Sequence, residues 1–394
     1  MQLLEFATIL DWTSAWFVTL ALAKECITNI ARRDFLKQSA AFAAASATGG
    51  FSCIEIAGAA PIDVPSVDKL TIRVLLDSSY DLFFRPAEAN GVKIVPQPRL
   101  ADYRRTLHNE WGLSLWLESE RASEKRTVML DYGYTPAVLL NNMELAGVDP
   151  SKIDALIVSH GHYDHFGGLL GLLDKYRGVM PADLKLYAGG EDNFCHRVQG
   201  NPQQGYADFG KLDRAGLASK NVTTVLAENP AVVAGHAFTT GKIGRKSIER
   251  VLPNTSVDYT KENAGCEYGH YTAAEQQGKI VPDQHVHEHA TCFNLKDKGL
   301  VVISSCGHAG IVNSVRQAQE VSGVQKVHAI VGGFHLGPAP KDYLTQVVSE
   351  IKKLEPDVLL PMHCSGLNFV AEARAQMPNN VLVTTTGSSI NFGA

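Results

Sequence analysis

Val158-Ser159-His160-Gly161-His162-Tyr163-Asp164-His165-Phe166-Gly167-Gly168 places three histidines and an aspartate within six residues. Neutral imidazole is a ligand for zinc, iron, nickel or copper, and a carboxylate oxygen completes a hydrolytic donor set. The apolar run Ile153 to Val158 before it reads as a buried strand, and Phe166 to Leu173 after it reads as the start of a helix. The ligands therefore fall on a tight turn at the C-terminal end of a strand, where α/β folds place their chemistry. In an extended segment residues i and i+2 share a face, so His160 and His162 can grip one ion. Once the chain turns, Asp164 and His165 can point at a second, and a pair of ions can polarise a scissile bond. A solvated His-rich turn is the bland alternative. Four ligand side chains in register between strand and helix are far more specific than that.

Outward from this turn, Leu70 to Leu76, Gly112 to Glu118 and Arg126 to Leu130 read as strands, the last ending in Asp131-Tyr132-Gly133. Pro136 to Ala146 reads as a helix with proline in its first turn. Leu184 to Tyr187 and Thr223 to Leu226 read as short strands. Gly299 to Ser304, Val327 to Val331 and Asp357 to Leu360 read as buried ones, with helices from Ile311 and over Tyr343 to Leu354. The polar stretches at about 191–214 and 245–285 are expected to be long loops over a site. Four apolar strands thus end in Gly-flanked histidines: the first turn, then Cys306-Gly307-His308, Gly332-Gly333-Phe334-His335 and Met362-His363-Cys364-Ser365-Gly366. A single satisfied core histidine is commonplace, whereas four repeats of the pattern point to one shared site.

A chain of 394 residues suits two average domains or one large α/β domain. Its 45% hydrophobic and 20% charged residues describe a globular protein with a sizeable core. The net charge of −5 gives no support for a nucleic-acid or anionic-membrane surface, so a small-molecule substrate is expected. Arg32-Arg33-Asp34-Phe35-Leu36-Lys37 resembles the twin-arginine (Tat) export motif. An alanine-rich apolar stretch and the small residues Ala57-Gly58-Ala59 follow it. Residues 1–60 are therefore set apart as an N-terminal extension and signal peptide, and 61–394 as the catalytic domain. The apolar stretch Trp12 to Ile27, broken by Lys24 and Glu25, is too interrupted for a membrane span. The expected partner is the twin-arginine export machinery, the expected location periplasmic or secreted, with no stable membrane anchor after signal removal. Beyond residue 60 the cysteines are Cys195, Cys266, Cys292, Cys306 and Cys364. With an odd number and no C-x-x-C pair, no disulfide framework is implied. Cys306 and Cys364, each within two residues of a histidine of interest, read as small buried apolar residues or as site residues.

Together these motifs resemble the metallo-β-lactamase superfamily over roughly residues 70–390, with H-x-H-x-D-H as the hallmark. Gly112-Leu113-Ser114, the run Cys306 to Asn313, Gly332 to Leu336 and His363 to Gly366 are similar to its dihydropterin-ribofuranosyl-aminobenzene-phosphate synthase-like branch. The resemblance implies an αββα sandwich, two mixed β-sheets face to face with helices outside and a metal site along one edge. It implies His160 and His162 on one ion, Asp164, His165 and His363 on a second, and His308 as a further ligand, with Asp131 fixing an imidazole from behind. Zn2+, one or two, is the expected cofactor, with Fe or Mn open. Many members place a bridging aspartate after the strand that here ends at Ser304-Ser305-Cys306-Gly307-His308, and this chain has no carboxylate there. Cys306 or His308 could stand in, or a ligand could come from His236 or from His285-x-His287-x-His289. That triplet shares one face if extended, with Asp283 as a supporting partner, or it is a solvated rim. The implied activity is a metal-dependent hydrolase in which an activated water attacks an ester, lactone, amide or phosphoester. Asp164 would ligate and orient that water, and His335 would serve substrate or proton transfer. The alternatives are a transferase of the synthase type, against which export from the cytoplasm argues, and a non-catalytic metal- or ligand-binding protein, suggested by the missing aspartate.

Overall fold

The computed structural model describes residues 61–259, 266 and 279–393. The export signal read in residues 1–60 lies outside them. Two large sheets face each other. The first has nine strands in the order Thr223–Leu226, Lys185–Ala188, Ala155–Val158, Glu124–Leu130, Ser114–Arg121, Lys69–Leu76, Ser389–Phe392, Val92–Val95 and Ala87–Ala89. The second has seven, in the order Ala231–Val233, Ala237–Thr239, Thr291–Leu295, Gly299–Ser304, Val327–Gly332 and Val358–Pro361, with Ser66–Val67 added beside Thr291–Leu295. Each mixes parallel and antiparallel pairs.

The alternation of side chains explains why these strands read as unbroken apolar runs. Leu70, Ile72 and Val74 of one sheet meet Val301, Ile303, Ala329 and Val331 of the other in a central core. The intervening Leu300, Val302 and Ile330 point outward, against helices Ile311–Ser322 and Lys341–Lys353. On the nine-stranded sheet Ala155 and Ile157 face inward, whereas Leu156 and Val158 face helices Pro136–Ala146 and Leu169–Tyr176. A strand buried on both faces has no polar alternation to show. The layering is the expected αββα sandwich. Among the described residues no helix is long and apolar enough to cross a membrane.

Two expectations are corrected. The stretches 191–214 and 245–285 are not plain loops, because strands Arg197–Asn201, Gly205–Asp208, Ser256–Asp258 and Ile280–Pro282 form a separate four-stranded sheet. Gly205–Asp208 is exposed along its whole length, so it carries no apolar signal. Its hairpin is closed by the Asn201 side chain, whose Oδ1 accepts from the backbone N–H of Gln203 and Gln204. The cysteines also do form a disulfide, Cys195–Cys266, packed against Val257 and Val281 of that small sheet. Its partners lie 71 residues apart, a pairing set by the fold rather than by any short spacing.

Candidate metal centre

The site is built on strand ends along one edge of the sandwich. Residues 159–165 follow strand Ala155–Val158, Asp131 follows Glu124–Leu130, the 305–310 turn follows Gly299–Ser304, and His363 follows Val358–Pro361. Ligand atoms of His160, His162 and His308 lie within 4.8 Å of one another. Beside them Asp164 Oδ2 is 3.3 Å from His363 Nε2 and 3.6 Å from His165 Nε2. All six side chains are buried. The structure thus brings together His160, His162, Asp164, His165, His308 and His363.

The ring nitrogens have been sorted by what stands behind them. Asp131 accepts from the backbone N–H and hydroxyl of Ser159 and, at 2.7 Å, from His165 Nδ1, which leaves His165 Nε2 toward the site. Thr255 Oγ1 takes up His162 Nε2 at 2.8 Å, leaving Nδ1. Ser78 Oγ takes up His363 Nδ1 at 3.0 Å. His160 Nε2 and both ring nitrogens of His308 are buried with no hydrogen-bond partner. A buried polar atom without a partner costs free energy unless something else satisfies it. Imidazole nitrogens beside a carboxylate fit a divalent ion in that role.

The electrostatics agree. Burial, with the other imidazoles nearby, holds His160, His162 and His308 well below the ordinary histidine range, so they are neutral and ready to ligate. Burial also works against a charge on His165, but the carboxylates of Asp164 and Asp131 outweigh it and lift its pKa to about 9. The cage that stabilises a proton there would equally stabilise a metal cation.

Asp131 and Asp283 apart, the groups that position this site gave no sequence signal. Glu288, buried, accepts from the backbone N–H of His308 and Ala309, and burial pushes its pKa up to about 7. Glu249 accepts from Val312 and Asn313 N–H at the start of helix Ile311–Ser322. Asp77 receives the His363 N–H at 2.8 Å. A buried Arg197–Asp283 ion pair lies behind the H-x-H turn. A β-carbon on Gly161 would collide with Arg197 Nη1 and come within 2.5 Å of Asn193 O. Asp131, His285, His335 and His363 all have positive φ, so four of the ten such non-glycine residues described stand at this site. Backbone held in that region marks positions over-determined by their surroundings.

The histidine triplet does not share a face, because 283–290 is not extended. His285 stacks on His308 at 3.9 Å between ring centroids, while His287 pairs with Asp192 and His289 with Val158 O. His236 hydrogen-bonds Ser119 and lies 3.5 Å from Glu124. Glu124 opens the strand whose other end carries Asp131, so His236 is at the far edge of the sandwich. His335 is partly exposed, its ring 4.2 Å from His308, and it lines a cleft with Arg250, Phe334 and Tyr343. Burial opposes its protonation, yet the neighbouring Cys364 sulphur raises its pKa. Trp111, 57% exposed, sets its ring 4.8 Å from that of His363 at the mouth.

A sequence model of the metallo-β-lactamase superfamily matches residues 114–179, which include the H-x-H-x-D-H turn. The structure superposes on a metal-dependent hydrolase of the β-lactamase superfamily with a TM-score of 0.58, covering 81% of this chain and 98% of that one at 21% identity. The chain has a metallo-β-lactamase fold. Among curated proteins, this metallo-β-lactamase-fold chain is 28% identical over 280 residues to the 7,8-dihydropterin-6-methyl-4-(β-D-ribofuranosyl)-aminobenzene-5'-phosphate synthase of Methanocaldococcus jannaschii, spanning 69% of this chain and 86% of the synthase. It is 27% identical over 270 residues to an uncharacterised protein of the same organism, spanning 68% of this chain and 89% of the other.

Proposed function

We propose that this chain is a metal-dependent hydrolase of a small-molecule ester, lactone, amide or phosphoester, exported by the twin-arginine pathway to the periplasm or beyond. One observation carries the reading: unpartnered, buried imidazole nitrogens converge beside Asp164 at the strand ends. His160, His162 and His308 would hold one divalent ion, and Asp164, His165 and His363 a second. Ions bound there supply Lewis-acid polarisation of the scissile bond and a water that ionises near neutral pH. Asp164 Oδ2, between His165 and His363, is placed to accept a hydrogen bond from the attacking water and fix its direction. Asp131 holds His165 in one tautomer. His335, at the open side with a raised pKa, is placed to give a proton to the leaving atom.

The disulfide supports the exported location, since such bonds persist in oxidising compartments. The test is metal content together with turnover of p-nitrophenyl acetate and bis-p-nitrophenyl phosphate, with and without chelator. Turnover lost on chelation, restored by a divalent ion and depressed 100-fold or more in Asp164→Asn supports hydrolysis. A protein that binds no metal overturns the reading. The second reading is a transferase, favoured by the likeness to the M. jannaschii synthase. Stoichiometric metal with no turnover of any hydrolytic probe would move the assignment there or to a binding protein.

A further inference from the structure

Beside the metal centre a narrow cleft is lined by His308 and His335 together with Arg250 and Tyr343. Its open volume is about 230 Å³, less than the roughly 300–1,000 Å³ that whole small ligands fill. It has room for one group of a substrate rather than for the whole molecule. An exposed arginine by itself marks nothing, but Arg250, though exposed, is held in place. Its guanidinium carbon lies 5.4 Å from the centre of the Tyr343 ring, and its backbone N–H donates to the Tyr343 hydroxyl at 3.0 Å. The chain before it is pinned to helix Ile311–Ser322. The Asn313 side chain accepts from the N–H of Lys246 and Ser247, and the Glu249 carboxylate accepts from Val312 and Asn313 N–H. After it, Pro253 O lies 3.4 Å from His335 Nε2, and Thr255 holds His162. A side chain carried on a segment fixed on both sides loses little freedom when a ligand arrives.

The charge of Arg250 is also unspoken for. Arg197 pairs with Asp283, Arg214 with Glu191 and Arg316 with Glu350. Among the described residues Arg250 has no such ion pair. Glu249 is the carboxylate in the cleft's lining, and it is turned to the start of the helix instead. A guanidinium laid on an aromatic face keeps the N–H groups of its edge for a bidentate oxyanion.

We infer that this cleft takes a carboxylate or phosphate group of the substrate, bound by Arg250 over Tyr343, while the scissile bond lies at the metal centre. Arg250 is then the residue that sets specificity for an anionic substrate. The inference rests on the hydrolase reading above, whose substrate class it names, and the experiment separates the two.

Three anilides that differ only at the end of the acyl chain are titrated calorimetrically into the metal-loaded, full-length protein: butyranilide, succinanilate and the phosphonate counterpart of succinanilate. The wild type should bind an anionic anilide roughly tenfold more tightly than the neutral one, and the larger gain tells carboxylate from phosphate. Arg250→Gln should bring all three within about twofold of one another, whereas Arg250→Lys, which keeps the charge but not the fork, should retain part of the gain. No gain in the wild type would overturn the inference. So would a gain that survives Arg250→Gln, since the metal alone would then supply it. Turnover of p-nitrophenyl acetate by the same wild-type sample reports on hydrolysis separately. Turnover with no anion gain sinks the specificity and leaves the hydrolase standing, and an Arg250-dependent gain without turnover does the reverse.

Discussion

Asp131 shows how a residue outside the cluster can govern it. Its carboxylate takes two hydrogen bonds from Ser159 and one from His165 Nδ1, and its own backbone sits at φ 58°. An amide in its place cannot accept at all three positions, so Asp131→Asn should free the His165 ring. The expected outcome is metal affinity weakened roughly 10–100-fold with the fold retained, read by chelator competition and circular dichroism. Glu288 gives a pH signature instead. Its carboxyl keeps its proton to about pH 7 in the folded chain, against an ordinary value of 4.5. Between those values the folded state binds more protons than the unfolded one, so stability is greatest at the acid end and falls as pH rises through 7. The loss is on the order of 3 kcal/mol. Urea midpoints of the metal-free protein from pH 4.5 to 8 should show the fall, and Glu288→Gln should flatten it. A midpoint that does not change with pH in the parent protein would refute this account. The histidines were legible because their type and spacing advertise ligation. Glu288, Thr255 and Ser78 were not, since a hydrogen bond to a ring nitrogen or a turn is made by tertiary approach and leaves no local pattern.

At the scale of elements, the strands that end at the site were the easiest to read, because burial on both faces turns them into continuous apolar runs. What escaped was the small sheet, whose edge strand Gly205–Asp208 is wholly exposed, and the course of 283–290, where His285 turns to positive φ and breaks the expected alternation. That small sheet has a consequence for the H-x-H turn. Its Arg197 lies buried beneath Gly161 and pairs with Asp283, which in turn accepts the His285 N–H. Removing the cation leaves a buried carboxylate uncompensated, a loss of about 3–5 kcal/mol. Arg197→Met should therefore lower the denaturant midpoint strongly. Asp283→Asn together with Arg197→Met should recover part of it, because the stranded charge is then gone. Two single losses that simply add would show that the pair is not coupled.

For the whole molecule, the Cys195–Cys266 bond ties the small sheet to residue 266 across 71 residues of sequence. Cross-linking two points so far apart restricts the unfolded chain, and the loop-entropy model gives about 4 kcal/mol for a loop of this length. Reduction should lower the urea midpoint of the metal-free protein by that order, with little change in slope. The Cys195→Ser variant should match the reduced protein and respond no further to reductant. Cys306 and Cys364 take part in no disulfide in either form, so a metal-loaded sample separates the effects: reduction should cost stability without releasing the ion. The same bond bears on where the protein works. A chain carried out folded through the twin-arginine route would keep its metal site intact and acquire this bond on arrival, so protein recovered from the periplasm should show Cys195 and Cys266 blocked to alkylation. Material trapped in the cytoplasm, by replacing Arg32 and Arg33 with lysine, should show both free. If the trapped protein were equally oxidised, the disulfide would say nothing about compartment, and the location would rest on the arginine motif alone.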